Sequence, residues 1–267
     1  MTDSFWSAEI MRPGLCAGLI VGIQCAFYGV FVVQRGLGFL SAGLAHAAFG
    51  GVALGLLLGC AQPLWVAVPF MLCIAIALCF LRHRTGVRHD TLIGMLFSVS
   101  MAFGLVILQY RDKLSSDAMS YLFGDLVFVQ WSDVYLSLGL LAVSLALLPM
   151  WSRWAYASFD EELAQADRIT VKRDEYTLII MVALLVAAAV KIAGIILTSA
   201  LFLIPPFCAA VLARSFAQMT VYAIVIGPPP LFLGLYASHY AAWPCESSVA
   251  LVQWPAFSLA LSPTVVP

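Results

Sequence analysis

The sequence predicts an all-α membrane protein in which hydrophobic helices form one bundle. Of its 267 residues, 63% are hydrophobic and 10% are charged, and the mean hydropathy is +1.00. A soluble domain carries about 25% charged residues. Apolar stretches of about 20 residues, enough for an α-helix to cross a bilayer, recur along the chain. Helices satisfy their own backbone hydrogen bonds inside a bilayer, so we expect residues 1–267 to form a single transmembrane domain.

The apolar stretches predict about eight transmembrane helices, with a ninth if the short last stretch also crosses. They cover residues 14–33, 36–59, 63–81, 90–110, 131–150, 176–214, 220–240 and 247–261. The stretch at 176–214 is long enough for two crossings, and Lys191 and Gly194 mark the expected turn. The three prolines at 228–230 interrupt the stretch at 220–240, and the final stretch at 247–261 is short for a span.

Basic residues predict the orientation of these helices. Nine of the thirteen Lys and Arg residues fall in four regions on one side of the alternating path: 35, 82–88, 152–175 and 214. Because Lys and Arg are enriched in cytoplasmic loops, we expect that side to be cytoplasmic and the N-terminus to be external. The net charge of −1 gives no basic surface for a nucleic acid.

The stretch at 36–55 combines small side chains with a single ionisable residue, His46. Twelve of its twenty residues are Gly, Ala or Ser. Four small residues recur at every fourth position: Gly43, Ala47, Gly51 and Gly55. On a helix they would form one smooth face for close packing against a neighbour. A titratable group inside the bilayer usually faces a bundle interior or a pathway. His46 is therefore either a metal ligand or proton relay on a transport path, or a buried histidine bonded to a neighbouring helix.

Two further pairings are predicted near the outer side. Asp125, in the polar connector at 111–130, either guides cations toward the pore, or caps a helix, or pairs with Lys191. Cys60 and Cys245 fall at outer ends of predicted spans and could form a disulfide in an oxidising compartment. None of the seven cysteines forms a CxxC pair, so there is no cysteine metal motif.

The remaining titratable residues near span ends receive simpler interpretations. His83 and His89 belong to the basic run at 82–89, where we expect surface positions. Asp90 is a predicted helix N-cap. His239 is a candidate second imidazole ligand, although no spacing connects it to His46.

The segment at 152–175 is the largest predicted cytoplasmic loop. Within it, residues 158–166 read SFDEELAQA and predict a short surface helix with Asp160, Glu161 and Glu162 in its first turn. Phe159 and Leu163 are four residues apart, so a helix would present both on one face. Taken alone, the segment is typical of a solvated linker.

Four stretches in chain order carry a resemblance that covers about residues 14–240. They are FVVQRGLGFLSAGLAHAAFGGVALG, DTLIGMLFSVSMAFGLVIL, SYLFGDLVFVQWSD, and FDEELAQA followed by VKIAGIILTSALFLIPP. Together they resemble the corresponding blocks of the metal-type ABC permeases, the ABC-3 family. These proteins are the membrane subunits of zinc, manganese or iron importers.

The resemblance implies a bacterial inner-membrane permease that pairs with a second permease subunit, identical or different. It also implies cytoplasmic ATP-binding subunits, an extracytoplasmic metal-binding protein, and a divalent metal as cargo rather than as a permanent cofactor. Residues 158–166 resemble the coupling helix, so Phe159, Asp160, Glu161 and Leu163 would connect the permease to the ATPase. His46 would lie on the metal pathway.

The chain departs from the family pattern in two places. Family members usually close with a longer apolar helix, whereas the prolines at 228–230 and the ending SPTVVP indicate a truncated or divergent C-terminal part at 241–267 here. The other departure is at position 42. Many family members have an Asp four residues before the histidine, where both side chains could meet one cation, but this chain has Ala42. A second ligand would come from another helix, or the site would be weaker or prefer a different metal.

Missing motifs narrow the remaining functions. The chain has no GxxxxGK[ST] segment, so ATP hydrolysis would come from a partner, and the chain itself is expected not to be an enzyme. It also has no HExxH or GxSxG motif for a membrane hydrolase. Within the same fold, a chelate or a cobalamin-like compound could replace the bare ion. The alternative class is a gradient-driven secondary transporter with His46 as proton carrier, but no predicted span contains the acid that proton relays commonly use.

Overall fold

The computed structural model describes residues 11–60, 62–109, 129–241 and 243–260, which form helices and connections without a strand. The helices are α1 (Met11–Gln34), α2 (Leu40–Leu57), α3 (Leu64–Thr85), α4 (His89–Gln109), α5 (Trp131–Ala146), α6 (Trp151–Phe159), α7 (Glu161–Ala166), α8 (Val171–Leu212), α9 (Phe216–Ile226), α10 (Pro228–Ala241) and α11 (Cys245–Ala260). A 3₁₀ turn, Leu148–Met150, joins α5 to α6. The predicted all-α class is confirmed.

Six helices are long and apolar enough to cross a membrane. They are Arg12–Gln34, Leu40–Leu57, Leu64–Thr85, His89–Gln109, Val171–Leu212 and Phe216–Ser238. A seventh crossing is present if α5 and α6, which are bent by 45° at their junction, act as one broken span. A membrane protein with several spans is thus confirmed, while the count of eight or nine remains a prediction.

The end of α3 and the start of α4 show how the chain turns at one end of the bundle. Gly86 follows α3 with a left-handed φ of 66°, and its N–H donates to the carbonyl of Arg82. Glycine adopts this conformation without the penalty that a Cβ brings. Arg82 lies in the last turn of α3, where cations suit the helix dipole. Asp90 lies within the first turn of α4, which starts at His89, so the prediction that Asp90 is the N-cap is wrong.

The first half of α8 connects the two ends of the bundle. The helix is interrupted at Gly194, whose φ of 68° and ψ of 176° are not helical. Near its start, Glu175 binds Arg82 at the end of α3. Just before Gly194, Lys191 binds Asp133 in the first turn of α5. The half before Gly194 therefore runs from the end that holds Arg82 to the opposite end.

The second half of α8 returns along α1. Leu201 lies beside Gly22, and the backbone of Phe202 packs against Gly29, further along α1. Leu203 reaches Gly38, in the connection between α1 and α2. Phe216, four residues after the end of α8, lies against Phe159 with ring centroids 5.6 Å apart, close to the Arg82–Glu161 pair. The second half of α8 therefore ends near the end of the bundle where the first half begins, as expected for the turn predicted near Gly194.

The core lies between α8, α1 and α2. In the most apolar 18-residue stretch of α8, 78% of the residues are buried, whereas in the corresponding stretches of α3 and α4 only 28% and 33% are buried. Phe31 of α1 and Trp154 of α6 are fully buried, and their rings meet edge to face at 5.6 Å. Large apolar side chains such as Met95 and Val99 remain exposed on α4. The helix that carries His46 is therefore held from two sides, by α8 in the centre and by α3 and α4 at the periphery.

The predicted Cys60–Cys245 disulfide is wrong. All seven cysteines are free, and Cys245 lies at the start of α11 with its Sγ 3.1 Å from Oγ of Ser238. Cys60 is exposed, directly after Gly59 at the end of α2. Being near the ends of spans does not bring two thiols within bonding distance, because a disulfide also requires close Cβ atoms.

Candidate functional site

The small residues of α2 allow two neighbouring helices to approach very closely. A Cβ added at Gly51 would lie 2.6 Å from Cα of Ala67, and one at Gly55 would lie 2.8 Å from Cα of Pro63, both at the start of α3. Gly43 meets Ile93 of α4 instead. This change of neighbour follows from helix geometry, since residues four apart are offset by about 40° on a helix with 3.6 residues per turn. Ala47, between these positions, is fully buried.

His46 lies on the side of α2 that faces α4. Its ring meets the ring of Phe97 edge to face, with the centroids 5.1 Å apart. Its side chain is half-buried, and Nδ1 is buried with no hydrogen-bond partner among the described residues. A buried nitrogen without a hydrogen-bond partner is costly, and a neutral imidazole nitrogen can bind a metal ion. Among the described residues, Nδ1 therefore does not make the hydrogen bond to a neighbouring helix that one of the two interpretations of His46 requires.

His46 does not belong to a cluster of metal-binding side chains in the described part of the chain. Across residues 11–60, 62–109, 129–241 and 243–260, no group of three His, Cys, Asp or Glu side chains could hold a metal ion. The cavity between α2, α3 and α4 is lined only by Gly43 and seven apolar side chains: Leu40, Leu44, Ile74, Leu78, Ile93, Leu96 and Phe97. An apolar wall offers no ligand to a cation, so further ligands for an ion at His46 would come from elsewhere.

The predicted surface helix is broken into two helices. Phe159 ends α6, Asp160 has an extended backbone (φ −148°, ψ 104°), and α7 starts at Glu161. The side chain of Asp160 accepts a hydrogen bond from N of Leu163 at 2.8 Å and so acts as the N-cap of α7. The prediction that Asp160 lies in the first turn, and that one helix carries both Phe159 and Leu163, is wrong. Even so, the two apolar side chains are 64% and 50% exposed.

Hydrogen bonds fix α6 and the chain after α7 to the bundle. Arg35 donates from Nε to Oγ of Ser158 at 2.8 Å and also to the carbonyl of Trp154. Burial lowers the pKa of Arg35, and the nearby carboxylate of Glu175 opposes that shift. Arg153 binds the buried carboxylate of Asp174 at the start of α8. These contacts hold the segment that carries the exposed side chains of Phe159 and Leu163 against the bundle.

Five charged or titratable side chains meet beside α7, and we call them the Arg82 cluster: Arg82, His83, His89, Glu161 and Glu175. Arg82 donates to Glu161 at 2.8 Å and, from its other terminal nitrogen, to Glu175. Glu175 is 1% exposed, and its Oε1 also lies 2.9 Å from Nε2 of His89. Nε2 of His83 lies 3.2 Å from the other oxygen, without hydrogen-bond geometry.

The sequence did not reveal this cluster. The expectation of surface positions for His83 and His89 is wrong, because Glu175 draws both rings against the start of α8, where their side chains are 17% and 15% exposed. The carboxylate of Glu161 binds Arg82, so its charge does not flank the apolar pair freely as expected. The only sequence features that pointed to this cluster were the acidic residues at 160–162 and the basic run at 82–89, which were both predicted to be cytoplasmic.

At the other end of the bundle, Lys191 binds Asp133. Asp125, its predicted partner, lies outside the described residues, so that pairing remains a prediction. The side chain of His239 is also outside the described part of the chain.

Comparisons with known proteins agree along nearly the whole length. Residues 7–263 match the family model described as the ABC 3 transport family. The high-affinity zinc uptake system membrane protein ZnuB of Haemophilus influenzae is 31% identical over 254 residues, which cover 95% of this chain and 97% of that protein. The manganese transport system membrane protein MntC of Halalkalibacterium halodurans is 27% identical, covering 97% of this chain and 88% of that protein.

A solved structure shares the arrangement of helices. It is that of PsaBC from Streptococcus pneumoniae in complex with Fab, with a TM-score of 0.83 and 27% identity. The match covers 98% of this chain and 95% of the compared chain. The chain therefore belongs to the ABC 3 transport family.

Proposed function

We propose that this chain is the membrane-spanning permease of a bacterial importer that moves a divalent metal ion across the inner membrane. Full-length similarity to proteins named for zinc and manganese uptake carries the proposal. Iron stays a third candidate, because imidazole ligands suit zinc and iron, whereas manganese prefers oxygen ligands. The energy comes from separate ATP-binding subunits, since the sequence has no phosphate-binding loop.

The permease crosses the membrane eight times in this proposal. The six long helices and the bent α5–α6 pair account for seven crossings. The reversal of α8 at Gly194 adds the eighth, because the two halves contact opposite ends of the bundle. The 16-residue α11 is too short for a ninth regular span. The end that holds Arg35, Arg82 and Arg153 faces the cytoplasm, in agreement with the distribution of basic residues.

His46 serves as a ligand on the metal pathway. Its half-buried ring and its unpartnered Nδ1 support this role. Because Ala42 supplies no carboxylate, a passing ion completes its coordination with water or with groups from a second permease subunit. Weak, incomplete coordination suits transport, since an ion that binds at a pathway must also leave it.

The segment at 152–175 docks on the ATPase. Phe159 and Leu163 form the apolar anchor, Asp160 caps the helix that presents Leu163, and Glu161 ties that helix to the bundle. Exposed apolar side chains on a braced polar surface are typical of an interaction site. On the outer side, the permease receives its metal from a binding protein, near the end where Lys191 pairs with Asp133; Asp125 would guide cations there.

The test is the metal content of bacterial cells with and without the gene, grown at limiting zinc, manganese or iron. We expect the content of one of these metals to fall in cells that lack the gene and to recover when the gene is restored. Unchanged content of all three metals under each limitation would contradict metal import.

A further inference from the structure

We propose that Arg82 is a positioning residue for transport, which links the ATPase-docking helix α7 to the helices that hold His46. The inference rests on the proposed function. It starts from the position of Arg82, whose two terminal nitrogens bind carboxylates on two different helices, Glu161 of α7 and Glu175 of α8. One guanidinium therefore holds α3, α7 and the start of α8 in a fixed relation.

The side chain type suits this task. The planar guanidinium presents several N–H donors in a fixed fork, so it can bind two carboxylates at once with defined geometry. A lysine ammonium carries the same charge but fixes direction less well. The carboxylate of Glu175 is almost fully buried, which excludes water and strengthens the interaction. If α7 moves, the Arg82–Glu161 pair should therefore move the end of α3 with it.

The cluster includes α4 as well. His89, the first residue of α4, places Nε2 2.9 Å from the same Glu175 oxygen that Arg82 binds. The ends of α3 and α4 thus share one anchor.

Away from the Arg82 cluster, α3 and α4 both pack closely against α2. Gly51 meets the backbone of Ala67 on α3, and a Cβ at Gly50 would lie 2.7 Å from the carbonyl oxygen of Ser100 on α4. Backbones in such close contact cannot slide apart or tilt independently without opening voids, because packed interiors rearrange between discrete states. A shift of α3 and α4 must move α2 and therefore His46.

The same cluster is a poor metal site. Two imidazoles and a carboxylate lie close together, but the charge of Arg82 at Glu175 would repel a divalent cation. No metal-holding group occurs in the described ranges either. The geometry therefore favours a mechanical role over a binding role.

The experiment uses the complete importer, with its ATPase and binding protein, reconstituted in proteoliposomes. The variants are Arg82→Gln, Arg82→Lys, Glu161→Gln and the double variant Arg82→Gln/Glu161→Gln. The control is Arg88→Gln, which removes the same charge as Arg82→Gln from an exposed position in the connection between α3 and α4. The readout is the metal imported per ATP hydrolysed, because a smaller amount of folded complex changes both rates equally and leaves their ratio unchanged.

We expect Arg82→Gln and Glu161→Gln each to lower this ratio by about fivefold or more, a typical size for coupling between sites. The double variant should fall no further than Arg82→Gln alone, since both single changes remove the Arg82–Glu161 interaction. Arg82→Lys should lie between Arg82→Gln and the parental protein, and Arg88→Gln should match the parent.

Parental ratios in both single variants, or independent losses that multiply in the double variant, would overturn the inference. If Arg82→Gln fails to assemble, Glu161→Gln decides alone, since its side chain is partly exposed and its loss leaves Glu175 paired. Absence of ATP-driven uptake in the parental complex would instead overturn the proposed function, so the two failures are distinguishable.

Discussion

At the scale of single residues, His46 is one of several side chains with a buried polar atom that has no hydrogen-bond partner in the described part of the chain. In His46 this atom is Nδ1, one of the two ring nitrogens that can bind a metal ion. Ser41, also on α2, has a buried hydroxyl in the same condition. Only the imidazole is a good ligand for a transition-metal ion, so the two residues should respond differently to removal.

We predict that His46→Ala lowers metal uptake at limiting concentration by about tenfold or more, since even outer-shell groups cost that much in metal affinity. Assembly with the ATPase should persist, because the ring makes no hydrogen bond that holds α2 in place. Ser41→Ala is the matched control and should transport normally. Uptake kinetics and co-purification of the ATPase check both variants. Parental uptake in His46→Ala would reduce the residue to a packing role.

Glycines on α2 and α4 provide a second test at this scale. Gly51→Leu should destabilise the protein by about 1–3 kcal/mol or more, the usual cost of overpacking, because its Cβ would collide with backbone rather than with a movable side chain. Gly94→Leu is the control, since a Cβ there meets nothing within 4 Å. Thermal unfolding in detergent should show a lower transition temperature for Gly51→Leu alone. Equal stability of the two variants would refute the close-packing account.

At the scale of elements, the docking segment shows how local sequence and tertiary contacts share control. The acidic residues at 160–162 correctly indicated a helix start. Asp160, however, is the N-cap of α7, and its extended backbone separates α6 from α7. Phe159 consequently packs on Phe216 of α9, with ring centroids 5.6 Å apart, while Leu163 projects from the next helix. The apolar pair thus spans a joint between two helices.

We predict that Phe159→Ala combined with Leu163→Ala releases the ATPase or uncouples it from uptake. Truncation of a buried interface anchor typically costs about 2 kcal/mol or more, and both side chains are free to be buried by a partner. The bundle should remain folded, because the two side chains are mostly exposed. Val87→Ala removes an exposed apolar group from the α3–α4 connection and serves as the control.

Co-purification and metal-stimulated ATP hydrolysis measure the outcome for both proteins. Unchanged binding and unchanged stimulation in the double variant would exclude this segment as the docking site.

At the scale of the whole molecule, the sequence was informative wherever a signal is local. Apolar length located the spans, and the glycine near Lys191 marked the reversal of α8, since only glycine readily adopts φ near 68°. The Arg82–Glu175 and Lys191–Asp133 pairs join residues 93 and 58 positions apart. Hydropathy and helical periodicity describe one helix at a time, so they do not indicate which polar ends meet.

The candidate site could likewise be predicted only where its signal is local. The small-residue stretch identified His46 as a candidate, but its open Nδ1 and its contact with Phe97 depend on how α4 packs against α2. His83 and His89 look like members of a solvated basic run until Glu175 of α8 is placed beside them.

The central claim is that ATP hydrolysis by a separate subunit, rather than an ion gradient, drives metal through this chain. The direct measurement is uptake of zinc and of manganese into right-side-out proteoliposomes that hold the permease–ATPase complex, with the binding protein outside and ATP inside. We predict that one metal accumulates only when ATP is hydrolysed, and that a protonophore leaves the rate unchanged. Accumulation without ATP that stops when the protonophore is added would contradict this account and favour proton-coupled transport.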